Sequence, residues 1–445
     1  MTTSFGDAGV GTARDRWRNL DATVRTWWDQ DVVTWQQSRD LGVVDAMEMP
    51  RPYVAGGADG SPFWYSTMFN WDAYFSNLAL LAHGRLDLVR DAIENYLAMI
   101  DRLGYMPNGN QLGLSTRSQT PLFPDSIERY LTITDDQDLA ARAYPRLVAE
   151  YRGYWTADHH STPTGLATNR DLGDPTLDPR LASEAETGLD WTPLYEGDVR
   201  AIAPVITNAA LVRYARVLAE IAARLGLDGE SEQWHEEARG RAALLQKWCW
   251  NETEGFFYDY HHVQERFVTG AGATGLWALW AGAATSEQAA RCVEFLPRLL
   301  GDHGLATTET SEPSPYPDLL DDQAMQWMYP AGWAPLQMIA VSGLDAYGFS
   351  EQASDIAERF VSMVVDQFDV TGRLYEKYNV VDGTIVLPND RYGTIPLHGW
   401  TSAAVVLLGR RLYGEPAEDR GGSSVPVVPS ADAHARDLSQ CPPPG

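Results

Sequence analysis

Apolar residues recur along most of this chain at intervals of three and four, the period of an α-helix with one buried face. The stripe Leu211, Tyr214, Leu218, Ile221 and Leu225 is the cleanest. The same spacing runs through Leu86, Val89, Ile93, Tyr96, Leu97 and Ile100, through Tyr144, Leu147, Tyr151 and Trp155, and through Phe349, Ala353, Ile356, Phe360 and Val364. About twelve such helices are predicted, over 11–29, 71–83, 85–103, 119–133, 136–157, 201–225, 228–249, 268–281, 286–298, 322–342, 347–367 and 399–413. End signals support several of them: Thr285 with Gln288 spells a capping box, Ser350 is placed to cap the helix entering Glu351, and Gly226 follows the Leu211 stripe. Strand-like alternation is confined to Gly255–Tyr260 and Thr384–Leu387, which are expected as short hairpin arms.

Twelve helices joined in pairs either stack as a solenoid or close into a ring. A solenoid requires a repeat of roughly 34 to 47 residues, and none is visible, so an all-α fold closed as an (α/α)6 barrel is expected. Long connections at 30–70, 104–120, 158–200, 300–321 and 369–398 form one face of that barrel, and chemistry is expected there. The Gly-rich stretch within 52–66 is a candidate lid. Residues 1–413 are expected to form one catalytic domain, and 414–445, rich in Pro, Gly and Ser, a tail without a core.

Composition narrows the partners. The 445 residues carry 61 acidic and 34 basic side chains, a net charge of −27 that repels phosphate backbones and anionic lipid, so neither nucleic acid nor membrane is an expected partner. No apolar run reaches the roughly 18 residues of a membrane span and the first residues lack a leader pattern; a cytoplasmic protein is expected, as monomer or homo-oligomer. Three cysteines, too few and scattered for a disulfide framework or a zinc set, and the absence of a Gly-rich phosphate cradle leave no cofactor or metal expected. Sixteen tryptophans exceed what a core of this size uses, and sugar rings stack on such faces.

The loops mix carboxylates with Trp, Tyr, Asn, Gln and Arg, a set suited to polyols. Cleaving a glycosidic bond takes one carboxylic acid to protonate the leaving oxygen and a second carboxylate to activate water or attack the anomeric carbon. One candidate is Asp190 in Glu184-Ala185-Glu186-Thr187-Gly188-Leu189-Asp190-Trp191, where small residues permit a tight turn and Trp191 would desolvate the carboxyl. The other is Glu376 in Leu374-Tyr375-Glu376-Lys377-Tyr378-Asn379, whose aromatics, Tyr375 included, and lysine would hold a carboxylate charged. Taken alone, an Asp such as Asp190 before a helix is more often a cap, and a Glu–Lys pair such as Glu376–Lys377 more often a solvated surface pair.

Several loop motifs then add a resemblance. Met106-Pro107-Asn108-Gly109-Asn110 followed by Arg117-Ser118-Gln119-Thr120-Pro121, and Gln326-Trp327-Met328-Tyr329-Pro330-Ala331-Gly332-Trp333-Ala334-Pro335, resemble the two trehalase signatures. Glu186–Asp190, Glu376–Tyr378, Asn70-Trp71-Asp72-Ala73-Tyr74-Phe75 and Gly399-Trp400-Thr401 resemble four further elements, in the same chain order. The resemblance is to the clan of inverting glycosidases that joins trehalases with glycoside hydrolase family 63, and it too implies an (α/α)6 barrel. It implies Asp190 as general acid and Glu376 as general base. Trp71, Asp72, Asn108, Arg117 and Gln119 would grip the sugar hydroxyls, and Trp327 and Trp333 would wall the pocket.

Three departures bear on substrate. Met328 stands where trehalases have Asp, Ile206 replaces another Asp, and the Gly-rich segment after the base motif is missing. The compact length and motif set are similar to the small family 63 hydrolases of glucosylglycerate or mannosylglycerate. The expected reaction is therefore inverting hydrolysis of a small α-glucoside of a hydroxy acid, glucosylglycerate first, with trehalose or an oligosaccharide α-glucoside as the alternative. Its carboxylate would need a cationic clamp, for which Arg216, Arg213, Arg200 and Arg391 are candidates. A sugar-binding or sugar-isomerising (α/α)6 protein is the alternative from a different class.

Overall fold

A computed structural model describes residues 12–319, 325–388 and 390–414; the expected tail beyond Gly414 lies outside them. Twelve helices among the described residues build the body in chain order: α1 (Ala13–Gln30), α2 (Asn70–Ala82), α3 (Leu86–Leu103), α4 (Phe123–Thr134), α5 (Gln137–Glu150), α6 (Val205–Arg224), α7 (Asp228–Cys249), α8 (Trp277–Trp280), α9 (Ser286–Phe295), α10 (Ala334–Ala346), α11 (Ser350–Thr371) and α12 (Gly399–Tyr413). The even-numbered helices form a closed inner ring, each packed on the next, with α12 returning to α2. The odd-numbered helices lie outside: α1 packs on α11 and α12, α3 on α2 and α4, α5 on α4 and α6, α7 on α6, and α11 on α10 and α12. This is an (α/α)6 barrel.

Residue pattern sorts the two rings. On α7 the buried residues are Ser231, Trp234, Ala238, Ala242, Leu245 and Cys249, a single stripe at intervals of three and four, as an outer helix with one wet face requires. On α6 nearly every position is buried, including Ile206, Ala209, Ala210, Val212, Ala215 and Ala219 between the stripe residues, because an inner helix is surrounded. The small side chains let neighbours approach within the ring.

Several expectations are corrected. Of the segment expected as helix over 322–342, the described residues from Met325 onward are helical only from Ala334: Ala331–Trp333 is a strand, and Pro335 fits the first turn, where no amide hydrogen is needed. Thr384–Leu387 forms no strand. Thr384 instead closes a turn, its amide and hydroxyl both donating to Asp382 Oδ1 (3.0 and 2.8 Å). The stretch 255–260 does contribute arms, Phe256–Phe257 pairing with Trp250–Asn251, and Tyr260 with Phe267. Ser350 is the first residue of α11 rather than its cap, whereas the Thr285–Gln288 capping box is present. Two short helices, Trp35–Asp40 and Pro179–Ala185, lie in the long loops where none was expected.

Candidate active site

The turn that carries Asp190 follows the short helix Pro179–Ala185. Its tightness comes from Thr187, whose hydroxyl donates to Glu184 O (2.7 Å) and accepts from Leu189 N (3.0 Å), and from Gly188 at φ +86°. A β-carbon at Gly188 would lie 2.7 Å from the Trp71 ring, so only glycine fits both the backbone and the packing. Beyond Asp190, Trp191 O accepts from the amides of Gln326 (2.9 Å) and Trp327 (3.2 Å), and the Thr192 hydroxyl donates to Trp327 O (2.8 Å). The buried Glu184 carboxyl accepts from Thr192 N (2.8 Å) and from the Tyr316 hydroxyl, fixing the turn from behind.

Glu186, on the same turn, is fully buried and joins three loops. It accepts from Ser118 N (3.3 Å), Arg170 N (2.8 Å), Asn169 Nδ2 (3.2 Å) and the Tyr154 hydroxyl, and pairs with His160 Nε2 (2.8 Å). Burial alone would raise its pKa, but His160 and these donors outweigh it and hold the carboxylate below its usual range. The Asp190 turn and the Arg117–Gln119 segment are thereby locked to one another.

Glu376 immediately precedes the strand Lys377–Asn379, which pairs antiparallel with Ala331–Trp333 so that Trp333 faces Lys377. Trp400 Nε1 donates to Glu376 O (2.9 Å) and the Thr401 hydroxyl to Tyr375 O (2.7 Å), so the start of α12 holds this backbone. The carboxylate accepts the Tyr65 hydroxyl on Oε1 and the Tyr392 hydroxyl on Oε2 (2.9 Å). Lys377 reaches Asp390 (2.6 Å) and lies over the Trp333 and Tyr392 rings. Burial raises the Glu376 pKa, opposed by Lys377 and by both phenols.

Asp190 and Glu376 line one cavity of about 770 Å³, within the range of small-molecule sites. Trp71, Asp72, Asn108, Arg117, Gln119 and Trp327 line it too. Burial, reinforced by the Glu376 charge, pushes the Asp190 carboxyl up to about 7. Burial with the Glu376 and Asp190 charges pushes Asp72 up to about 8. The wall offers unsatisfied hydrogen-bonding atoms: Arg117 Nε, Trp191 Nε1, Trp327 Nε1 and Gln326 Oε1 are buried without a protein partner. Such a mixture of donors and an acceptor suits hydroxyl groups, which are both.

The remaining candidates separate. Gln119 Oε1 accepts from Trp71 N (3.1 Å) and Asn108 Nδ2 donates to Ala185 O (3.1 Å), so both also brace the wall. Arg117 is committed through Nη1 to Asp171 (3.1 Å) and Asp174 (2.8 Å). Trp333 does not line the cavity but stacks beneath Trp327, centroids 3.8 Å apart. Tyr375 is likewise absent from the wall, its ring set edge-on to Tyr378. Arg216 is outside it, donating to Gly282 O (3.0 Å); Arg213 is spent on Asp125 (2.6 Å) and Arg200 on Asp198 (2.7 Å). Of the four proposed cations only Arg391 reaches the cavity, over the Trp191 ring at 4.3 Å. Tyr65, Tyr392 and Gln326 were not anticipated; Gln326 opens a recognised motif, but the tyrosines carry no spacing signal. Among the described residues no cluster of His, Cys, Asp or Glu is placed to hold a metal ion, and no helix is long and apolar enough to cross a membrane.

An (α/α)6 barrel with two carboxyls in one Trp-lined cavity suits a glycoside hydrolase acting on O-glycosyl bonds, and the known relatives show this chain to be one. Comparison with known proteins narrows the class: the family model described as Trehalase matches residues 14–186 and 178–411, and the chain belongs to that family. It is 30% identical over 419 residues to a periplasmic trehalase of Pseudomonas aeruginosa, covering 83% of this chain and 73% of that one. It is 29% identical over 398 residues to the cytosolic neutral trehalase of Saccharomyces cerevisiae, covering 75% of this chain and 52% of the yeast protein. The solved neutral trehalase of Saccharomyces cerevisiae superposes with a TM-score of 0.67 at 27% identity, over 81% of this chain and 73% of that one. A family 63 mannosylglycerate hydrolase of Thermus thermophilus shares the fold, with a TM-score of 0.57 at 16% identity over 84% and 99% of the two chains. The family relationship makes this an inverting α-glucoside hydrolase.

Proposed function

We propose that this enzyme cleaves trehalose, with Asp190 as general acid and Glu376 as general base. The observation that carries the reading is the convergence of these two carboxyls, from distant loops, on one Trp-lined cavity. A proton is retained on Asp190 near neutral pH because burial and the Glu376 charge disfavour ionisation. Glu376, held by two phenols and near Lys377, takes the proton of a water that attacks the anomeric carbon from the face opposite the leaving oxygen, while Asp190 protonates that oxygen.

Trehalose is favoured over glucosylglycerate because two of the three departures from the trehalase pattern, Met328 and Ile206, do not line the cavity. Met328 packs against Tyr316 and Met325, its sulfur accepting from Glu312 N (3.2 Å), and Ile206 is buried within α6. Neither side chain lines the wall. One observation supports an anionic leaving group instead: Arg391 lines the cavity and stacks on Trp191, the residue that follows the acid.

Turnover of trehalose, glucosylglycerate and mannosylglycerate followed by proton NMR tests the reading. Inversion of trehalose releases β-glucose from the attacked ring and α-glucose from the leaving one, in equal first amounts. Asp190→Asn and Glu376→Gln are each expected to lower kcat by at least about a thousandfold, and kcat/KM of the native enzyme to fall as pH rises through about 7, where Asp190 loses its proton. Appearance of α-glucose alone, or full turnover by both variants, would sink the assignment. Arg391→Ala separates the substrates: loss on the order of 100-fold confined to glucosylglycerate would establish the anionic reading.

A further inference from the structure

Glu376 meets two phenols from opposite ends of the chain. Tyr65 belongs to the short helix Phe63–Ser66 and Tyr392 to the segment before α12. Each takes a different carboxylate oxygen. The two segments are stitched together: Gly57 bridges Leu397, Gly56 O accepts from His398 N (3.0 Å), and the Ser61 hydroxyl donates to Pro396 O (2.5 Å). The same strapping that places one phenol therefore helps place the other.

We propose that Tyr65 and Tyr392 are positioning residues that act through Glu376, orienting its carboxylate and keeping it ionised for its role as base. The inference rests on the reading of Glu376 as base. A phenol hydroxyl donates a hydrogen bond that a carboxylate accepts and a carboxylic acid accepts less well, so the pair favours the charged form. Other charged groups around Glu376 pull both ways. Lys377 favours ionisation, whereas burial and Asp390 oppose it; Asp72 and Asp190, the other acids of the cavity, are themselves pushed toward their protonated forms by the Glu376 charge. The lysine is already engaged with Asp390 (2.6 Å), which leaves the phenols as the direct donors to the carboxylate oxygens. Each oxygen retains a second lone pair for the attacking water.

The test is the pH dependence of kcat/KM for Tyr65→Phe, Tyr392→Phe and the double variant, on trehalose and glucosylglycerate. Removing either donor is expected to move the acidic limb upward by about one pH unit, with a larger shift in the double variant and the basic limb unmoved. Substrate affinity is measured in parallel on Glu376→Gln, with and without Tyr65→Phe and Tyr392→Phe; phenols that act through the carboxylate leave it within about twofold. An acidic limb that stays in place in folded variants overturns the inference, as does a tenfold loss of affinity in the Glu376→Gln background. Folding is checked by circular dichroism, and Tyr65→His and Tyr392→His, which retain a donor, replace any phenylalanine variant that fails to fold; in these the limb is expected to return toward the native position, and a limb shifted as far as in a donor-free variant overturns it. Full activity of Glu376→Gln would instead refute the reading on which it rests.

Discussion

Replacing Gly188 by alanine probes the turn that delivers Asp190 to the cavity. Two costs are separable. Gly188 and Gly104 have the same φ of +86°, but a β-carbon at Gly104 would meet nothing within 4 Å, whereas at Gly188 it would lie 2.7, 2.8 and 2.9 Å from three atoms of the Trp71 ring. The left-handed backbone costs an alanine about 1–2 kcal/mol at either place. Trp71 has little room to yield, being 1% exposed and in ring contact with Phe75, Trp327 and Trp400 at 6.1, 5.6 and 6.1 Å. Overpacking such a site adds about 1–3 kcal/mol, so Gly188→Ala should lose about 2–5 kcal/mol against about 1–2 for Gly104→Ala. Relief by shifting the turn or the indole displaces Asp190 or the cavity wall, and a displacement near 1 Å costs about 100-fold in kcat/KM. Urea unfolding and kcat/KM on both variants give the comparison. If Gly188→Ala were no less stable than Gly104→Ala and kept native activity, the steric argument would be wrong.

Asp72 gives a pH-dependent stability prediction. Its folded pKa of about 8 lies above the unfolded value of about 3.9, so the folded state binds this proton more tightly; that contribution is full below pH 4 and is lost as pH rises through about 8. Asp72→Asn, which never ionises, should therefore raise the melting temperature relative to the native protein more at pH 9 than at pH 5, and an equal effect at both would contradict it. Arg216→Ala removes a side chain that donates to Gly282 O outside the cavity, and steady-state kinetics should show kcat/KM within about twofold of native.

How far the sequence reached depended on the kind of signal. Periodicity located all twelve barrel helices, because an apolar stripe at 3.6 residues per turn reports burial directly. It failed at 325–333, where aromatic and small apolar residues serve a cavity wall and a strand rather than a helix face. Asp190, Glu376 and six companions were chosen by motif, and the cavity gathers them; Trp333 and Tyr375 were chosen the same way but lie outside its wall. Neighbourhood in sequence does not say which of two adjacent rings faces inward. The cationic candidates fared worse. Arg213, Arg216 and Arg391 look alike as letters, and only the fold shows that Arg213 meets Asp125 while Arg391 lies over Trp191.

The sequence by itself determined the helical ring and the polyol-binding character of its loops, since both follow from local period and from residue chemistry. Tertiary structure alone decided that phenols from residues 65 and 392 meet on one carboxylate, and that Met328 and Ile206 do not line the cavity. Helical periodicity is a short-range property written every few residues. The environment of a carboxyl, by contrast, is set by whichever distant segments chain closure brings within hydrogen-bonding reach, and no local pattern encodes that meeting.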